Sequence, residues 1–333
     1  MKKILLIQTG GTISMQLERD GTAFIDKDDS TSIINNQLPE LKQIADIKAI
    51  NLMAEDSSNL NQSHWTTIAR AIEKHYRDYD GFVILHGTDT MAYTASALSF
   101  VLKNLEKPVI LTGSQVPLVN IRSDARRNVI NAVEVATLPL FEVAICFDDQ
   151  IFRGNRATKM SIGDFDAFRS PNFRSLATIG LHIETHFEFD KPKRPFTCDP
   201  VFDDHVQILT LFPGFNPTYT HHLFSGDTRA ILLQSFGSGN IPVVGENSLV
   251  PFLKRCRDEN IIVLMASQAP FDEIDLTKYE AARKAGECGV LSAHDMTTEA
   301  AITKLMHLLG KFTDQTQVKQ QLMIPLAGEM TIH

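Results

Sequence analysis

Apolar residues along this chain fall into two alternating rhythms. Short runs at 4–7, 82–85, 109–111 and 143–147 contain no charged residue, the pattern of a strand buried on both faces. Between them, segments 64–79, 90–103 and 124–137 place apolar residues at i, i+3 and i+4, which predicts helices packed on a sheet. Strand and helix in strict alternation predict βαβ units and a parallel sheet.

The rhythm breaks at 188–200, where EFDKPKRPFTCDP packs three prolines among charged residues. Such a stretch reads as a linker. Beyond it the alternation resumes, with strands expected at 206–211, 230–234 and 261–265 and helices at 247–258, 275–284 and 297–309. The expected organisation is a first domain over 1–188, a linker over 189–204 and a second domain over 205–333. The fold class is α/β, with a larger N-terminal domain built on a parallel-rich sheet flanked by helices and a smaller C-terminal α/β domain. A length of 333 residues fits about two domains.

Charge and composition narrow the function. Thirty-two basic residues against forty acidic ones give a net charge of -8, which argues against nucleic acid as a partner. No apolar run approaches the length of a membrane span, and the run before Gln8 is too short for a signal-peptide core. Four scattered cysteines without a C-x-x-C pair read as reduced thiols in the cytoplasm. His182 and His186 are four apart but lack the glutamate and third ligand of a zinc site, so no metal is expected. Nucleotide-binding glycine motifs and the G-x-S-x-G elbow are absent from the sequence.

What remains is a set of three small, hydroxyl-rich loops that follow expected strands: TGGT at 9–12, HGTDT at 86–90 and TGSQ at 112–115. Ligands bind beyond the carboxyl ends of parallel strands, so these loops should converge. Glycine lets backbone N–H groups approach a ligand, and threonine or serine supplies a hydroxyl that can attack. Each loop taken alone is also what a tight turn or helix cap requires. A hydroxyl nucleophile needs an activating neighbour. Lys159, in RGNRATK at 153–159, is the candidate, with a solvated surface lysine as the alternative. Asp89 is a partner for an ammonium group or, alternatively, a helix cap.

The combination of motifs resembles the bacterial-type L-asparaginase family and, within it, the cytoplasmic type I enzymes. The carrying residues are TGGTI at 9–13, GFVILHGTDTMAYTASAL at 81–98, LTGSQ at 111–115, RGNR at 153–156 with Lys159, DFDAF at 164–168 and the segment 289–304. The resemblance implies hydrolysis of L-asparagine to L-aspartate and ammonia without metal or organic cofactor, by a homodimer or homotetramer. By motif position it implies Thr12 as nucleophile, a second catalytic group of Thr88, Asp89 and Lys159, and substrate contacts from Gly11, Ser57, Ser58, Gly87 and Ser114. Ser57 is matched to the substrate carboxylate and Asp89 to its ammonium, with the backbone N–H groups of Gly11 and Thr88 facing the developing oxyanion.

Two departures qualify the match. The family usually carries a lid tyrosine ten to thirteen residues after the first threonine. Here segment 14–25 has none, and Thr22 and Phe24 stand in its neighbourhood. Asn59 stands where an acidic residue is common. The missing tyrosine leaves open a second reading, an amino-acid-binding or sensor protein of the same fold with reduced turnover. A third, a component of a tRNA-dependent amidotransferase, is opposed by the acidic balance.

Overall fold

The computed structural model describes residues 1–17, 23–25 and 37–332. The chain divides into two compact units, Met1–Pro200 and Val201–His333.

The first unit is built on an eight-stranded sheet: β1 (Lys3–Gly10), β2 (Asp46–Glu55), β3 (Gly81–Leu85), β4 (Val109–Thr112), β5 (Val143–Phe147), β6 (Gln150–Arg153), β7 (Ala177–Ile179) and β8 (Ile183–Thr185). Their order is β8-β7-β6-β5-β4-β3-β1-β2. The five strands from β5 to β2 are parallel, and β6, β7 and β8 fold back as an antiparallel extension. All four runs expected as strands in this unit are strands, because a parallel strand covered on both faces must be apolar at every position. In β3 every residue is buried.

Among the described residues, three long helices pack on this sheet: α1 (Gln62–His75), α2 (Met91–Val101) and α3 (Ala125–Val135). α1 starts two residues earlier than its apolar rhythm suggests, because the Asn61 side chain caps Ser63 and the His64 side chain returns a bond to the Asn61 backbone. Such reciprocal capping satisfies N–H groups that a helix start leaves open. On one face of the sheet, Ile4 and Leu6 of β1, Val83 and Leu85 of β3, and Ile110 of β4 pack with Val129, Ala132 and Val133 of α3. The alternation follows from the period of two along a strand.

Strand β2 escapes the apolar-run criterion. Its sequence DIKAINLMAE has no fully buried position, as befits a strand at the sheet edge. The short antiparallel strands β7 and β8 offer too few residues for any periodicity. The proline-rich stretch expected to be a linker carries a two-residue strand, Thr197–Cys198, paired with Leu102–Lys103. Asp199 donates its backbone N–H to Val101, so the boundary between units falls at Pro200.

The second unit holds a four-stranded parallel sheet, β9 (Val206–Thr210), β10 (Ala230–Ser235), β11 (Ile262–Ser267) and β12 (Leu291–Ser292), in sequential order. Its helices are α4 (Val250–Asp258), α5 (Glu280–Glu287), α6 (Thr298–Lys311) and α7 (Gln315–Leu322). Ile231, Leu233, Val263 and Met265 pack with Phe252, Leu253 and Cys256 in its core. Helix α5 begins five residues later than expected. The Asp275 carboxylate takes the Thr277 N–H and hydroxyl, a local turn that competes with helix at that point. Among the described residues no helix is long and apolar enough to cross a membrane, and the four cysteines are free.

Candidate functional site

The chain reverses its direction of travel across the sheet at β1, with β2 laid on one side and β3 on the other. Open α/β sheets bind ligands at such a switch point. Gln8 is paired with Leu85, and Leu85 with Thr112, so β1, β3 and β4 end level and release their loops at one edge. The loops then meet backbone to backbone. Gly10 and Gly11 have φ of +111° and +82°, and a Cβ on Gly11 would lie 2.3 Å from the Gly87 nitrogen. A Cβ on Gly87 would lie 2.6 Å from Ser57 Oγ. Only glycine fits both positions.

The convergence encloses a cleft of about 210 Å³, lined by Gly11, Thr12, Asp56, Ser57, Gly87, Thr88, Asp89, Gln115, Lys159 and Ile162. Lys159 reaches it from a short hairpin in which Thr158–Lys159 pairs with Phe168–Arg169. Its ammonium nitrogen lies 2.7 Å from Thr88 Oγ1 and 2.7 Å from Asp89 Oδ1. The lysine side chain is 15% exposed and that of Asp89 66%, so the amine is held inside the cleft while the carboxylate faces its opening. Asp89 does not cap α2, whose N-cap position is Thr90. Thr90 instead donates its hydroxyl to the Ser57 carbonyl at 2.8 Å, which fastens the HGTDT loop to the serine segment.

Two residues beyond the sequence reading complete the network. Gln115 accepts from the Thr88 hydroxyl at 3.2 Å and donates to the Asp164 carbonyl at 3.1 Å. Its amide orientation follows, since only the carbonyl oxygen can take the Thr88 proton. Asp124 in turn accepts the backbone N–H groups of Gln115 and Val116 at 3.0 and 3.1 Å, holding the TGSQ loop from behind. The glutamine was visible in that loop motif. Asp124, nine residues further on, carried no signal of its own.

Seven sequence candidates therefore line the cleft: Gly11, Thr12, Ser57, Gly87, Thr88, Asp89 and Lys159. Ser58 does not, because its hydroxyl and N–H both turn to Asp56 Oδ1, at 2.6 and 2.8 Å. Those bonds favour the ionised carboxylate and hold the Asp56 pKa below its usual value. Ser114 is buried and is not among the residues that line the cleft. The Gly11 N–H, expected to face an oxyanion, donates to the Glu55 carbonyl at 3.1 Å and is already engaged by β2. Of the lid candidates, Phe24 falls in a short strand, Ala23–Ile25, paired with Met15–Leu17, and its side chain lies outside the described residues, as does Thr22 entirely.

Comparison with known proteins places this cleft in a family. Residues 3–192 match the family Asparaginase, N-terminal, and residues 205–322 match the Glutaminase/Asparaginase C-terminal domain. The chain belongs to the asparaginase family. It is 37% identical to L-asparaginase 1 of Escherichia coli (strain K12) over 99% of this chain and 98% of that one. Two solved asparaginases superpose on it with a TM-score of 0.91. One is the thermostable L-asparaginase of Thermococcus kodakarensis, 34% identical, covering 99% of this chain and 100% of that one. The other is L-asparaginase I of Vibrio cholerae O1 biovar eltor str. N16961, 36% identical, covering 99% of both.

Proposed function

We propose that this chain is an L-asparagine amidohydrolase, releasing L-aspartate and ammonia in two displacements through Thr12. The Thr12 hydroxyl oxygen bonds to the side-chain amide carbon, the carbon–nitrogen bond breaks, and the hydroxyl proton leaves with the nitrogen as ammonia. Water then attacks the threonine ester, liberating aspartate and restoring the hydroxyl. Splitting amide cleavage in this way replaces one difficult step by two easier ones. Thr88 and Lys159 serve the water, Ser57 the substrate carboxylate and Asp89 the substrate ammonium.

The observation that carries this reading is the Lys159 ammonium held at 2.7 Å from both Thr88 and Asp89 in a cleft that also contains Thr12 and Ser57. A cavity of about 210 Å³ suits an amino acid rather than a nucleotide or a peptide. The Thr88 N–H is the oxyanion donor in this reading, because that of Gly11 is engaged. The binding-only alternative is not favoured, since the full-length relatives are named L-asparaginases. We assign the protein to the cytoplasm as a homodimer or homotetramer, which light scattering of the purified chain tests.

Steady-state ammonia release from L-asparagine, L-glutamine and D-asparagine tests the activity directly. Turnover of L-asparagine that disappears in Thr12→Ala and in Lys159→Ala is the expected result. No release by the native chain overturns the assignment.

A further inference from the structure

His86 is the first residue of the HGTDT loop, is 0% exposed, and takes no part in the reaction as proposed. A buried imidazole needs partners for both ring nitrogens. Nδ1 lies 2.7 Å from the Gly87 carbonyl, and Nε2 lies 2.8 Å from Thr94 Oγ1 on α2. Thr94 Oγ1 also receives the Trp65 indole N–H from α1 at 3.1 Å.

Only one arrangement of protons satisfies this chain with a neutral ring. The Gly87 carbonyl can only accept, so Nδ1 carries the hydrogen. The indole can only donate, so Thr94 uses a lone pair there and gives its hydroxyl hydrogen to Nε2. Burial favours the neutral ring, lowering its pKa to about 4. From the third side, the loop is backed by Gly113, where a Cβ would lie 2.2 Å from the His86 carbonyl.

The consequence reaches the cleft through the peptide plane. In a trans peptide the carbonyl of one residue and the N–H of the next point in opposite directions. We infer that His86 is a positioning residue, which by donating from Nδ1 to the Gly87 carbonyl turns the Gly87–Thr88 peptide so that the Thr88 N–H faces the developing oxyanion. The inference rests on the proposed hydrolysis for its catalytic consequence, but its geometry stands apart from it. Two helices thereby set the direction of one backbone donor, through Trp65, Thr94 and His86.

The test uses the chemical likeness of side chains. An asparagine amide nitrogen is as many bonds from Cα as Nδ1, whereas a glutamine amide nitrogen corresponds to Nε2. In His86→Asn the donor to Gly87 is kept, and kcat for L-asparagine stays within about threefold, while His86→Gln loses about 100-fold in kcat with KM changed little. Nitrogen NMR of the native chain with labelled histidine reads the tautomer independently of activity and of variant folding. A buried imidazole protonated on Nδ1 alone at pH 7 is expected. Protonation of Nε2, unchanged kcat in His86→Gln, or equal loss in both variants overturns the inference. A native chain that shows the Nδ1 tautomer but releases no ammonia leaves the positioning geometry standing and defeats the proposed function instead.

Discussion

Seventy-one positions separate Thr88 from Lys159 in the chain, and 2.7 Å separates the hydroxyl oxygen of one from the ammonium nitrogen of the other. The lysine also reaches Asp89, so a single side chain ties together all three members of the proposed second catalytic group. Replacing Lys159 by Met removes both contacts while keeping much of the volume. A group aimed at transition-state charge is worth about 3 to 4 kcal/mol, so kcat for L-asparagine should fall by about 100- to 1,000-fold. Thr88→Val acts on the same unit. The double variant should therefore be no less active than the worse single one, and steady-state kinetics of the three variants checks this.

Asp124 shows how such a cleft is held from outside its lining. Its carboxylate accepts from Gln115 and Val116 and also from the Asn128 side chain at 3.0 Å. Hydrogen bonds to an ionised acceptor contribute about 1.5 to 3 kcal/mol each, and unpaired buried donors add their desolvation penalty. Asp124→Ala should lower the stability of the first unit by about 2 to 3 kcal/mol, measured as a shift in the urea midpoint. Asp124→Asn keeps one accepting oxygen and should lose less. Loss of Asp124 also frees Gln115 to withdraw from Thr88, so the alanine variant should lose kcat more than affinity.

A Cβ at Gly11 has no flexible neighbour to displace. It meets the Gly87 backbone nitrogen at 2.3 Å, at a φ of +82°. Gly11→Ala therefore separates the first and second loops, and displacement of the order of 1 Å between reacting groups lowers the rate by about 100-fold. Gly163 is the control, because nothing lies within 4 Å of its added Cβ. Gly163→Ala should change stability by less than about 0.5 kcal/mol. Circular dichroism melts and ammonia release separate the two outcomes.

The contrast between Asp124 and Thr88 explains how far the sequence could be read. Buried parallel strands announce themselves as apolar runs, and the loops after β1, β3 and β4 carry glycines and hydroxyls because backbones must meet there. Those signals located the cleft and five of the candidates that line it, Gly11, Thr12, Gly87, Thr88 and Asp89, whereas Lys159 was read from its own stretch at 153–159 and Ser57 came only from the family resemblance. Signals fail where a residue works through tertiary placement. Asp124 reads as an ordinary helix-start aspartate until its two backbone partners are seen. Ser58 matched a motif, yet its hydroxyl turns back to Asp56, a choice made by local geometry. Gly11 kept its place in the lining but not its donor role, because β2, an edge strand with a mixed sequence, supplies the Glu55 carbonyl that takes the N–H.

His86 makes stability depend on pH in a direction fixed by its burial. Its pKa is near 6.5 in an unfolded chain and lowered to about 4 by desolvation in the folded one. Between those values the unfolded chain binds a proton that the folded chain does not. The contribution is thus fully present above about pH 6.5 and is lost as the pH falls toward 4. A shift of this size corresponds to about 3 kcal/mol. Asp56, held ionised by Ser58, weakens the fold on acidification in the same sense, so the native chain alone does not isolate the histidine. His86→Asn keeps every carboxylate and removes only the imidazole. Urea midpoints of both proteins at pH 7, 5.5 and 4 should show the native chain losing about 3 kcal/mol more than the variant. Parallel losses in the two proteins would mean that the ring is protonated in the fold, and the hydrogen-bond chain from Trp65 to Gly87 would then need a different arrangement of protons.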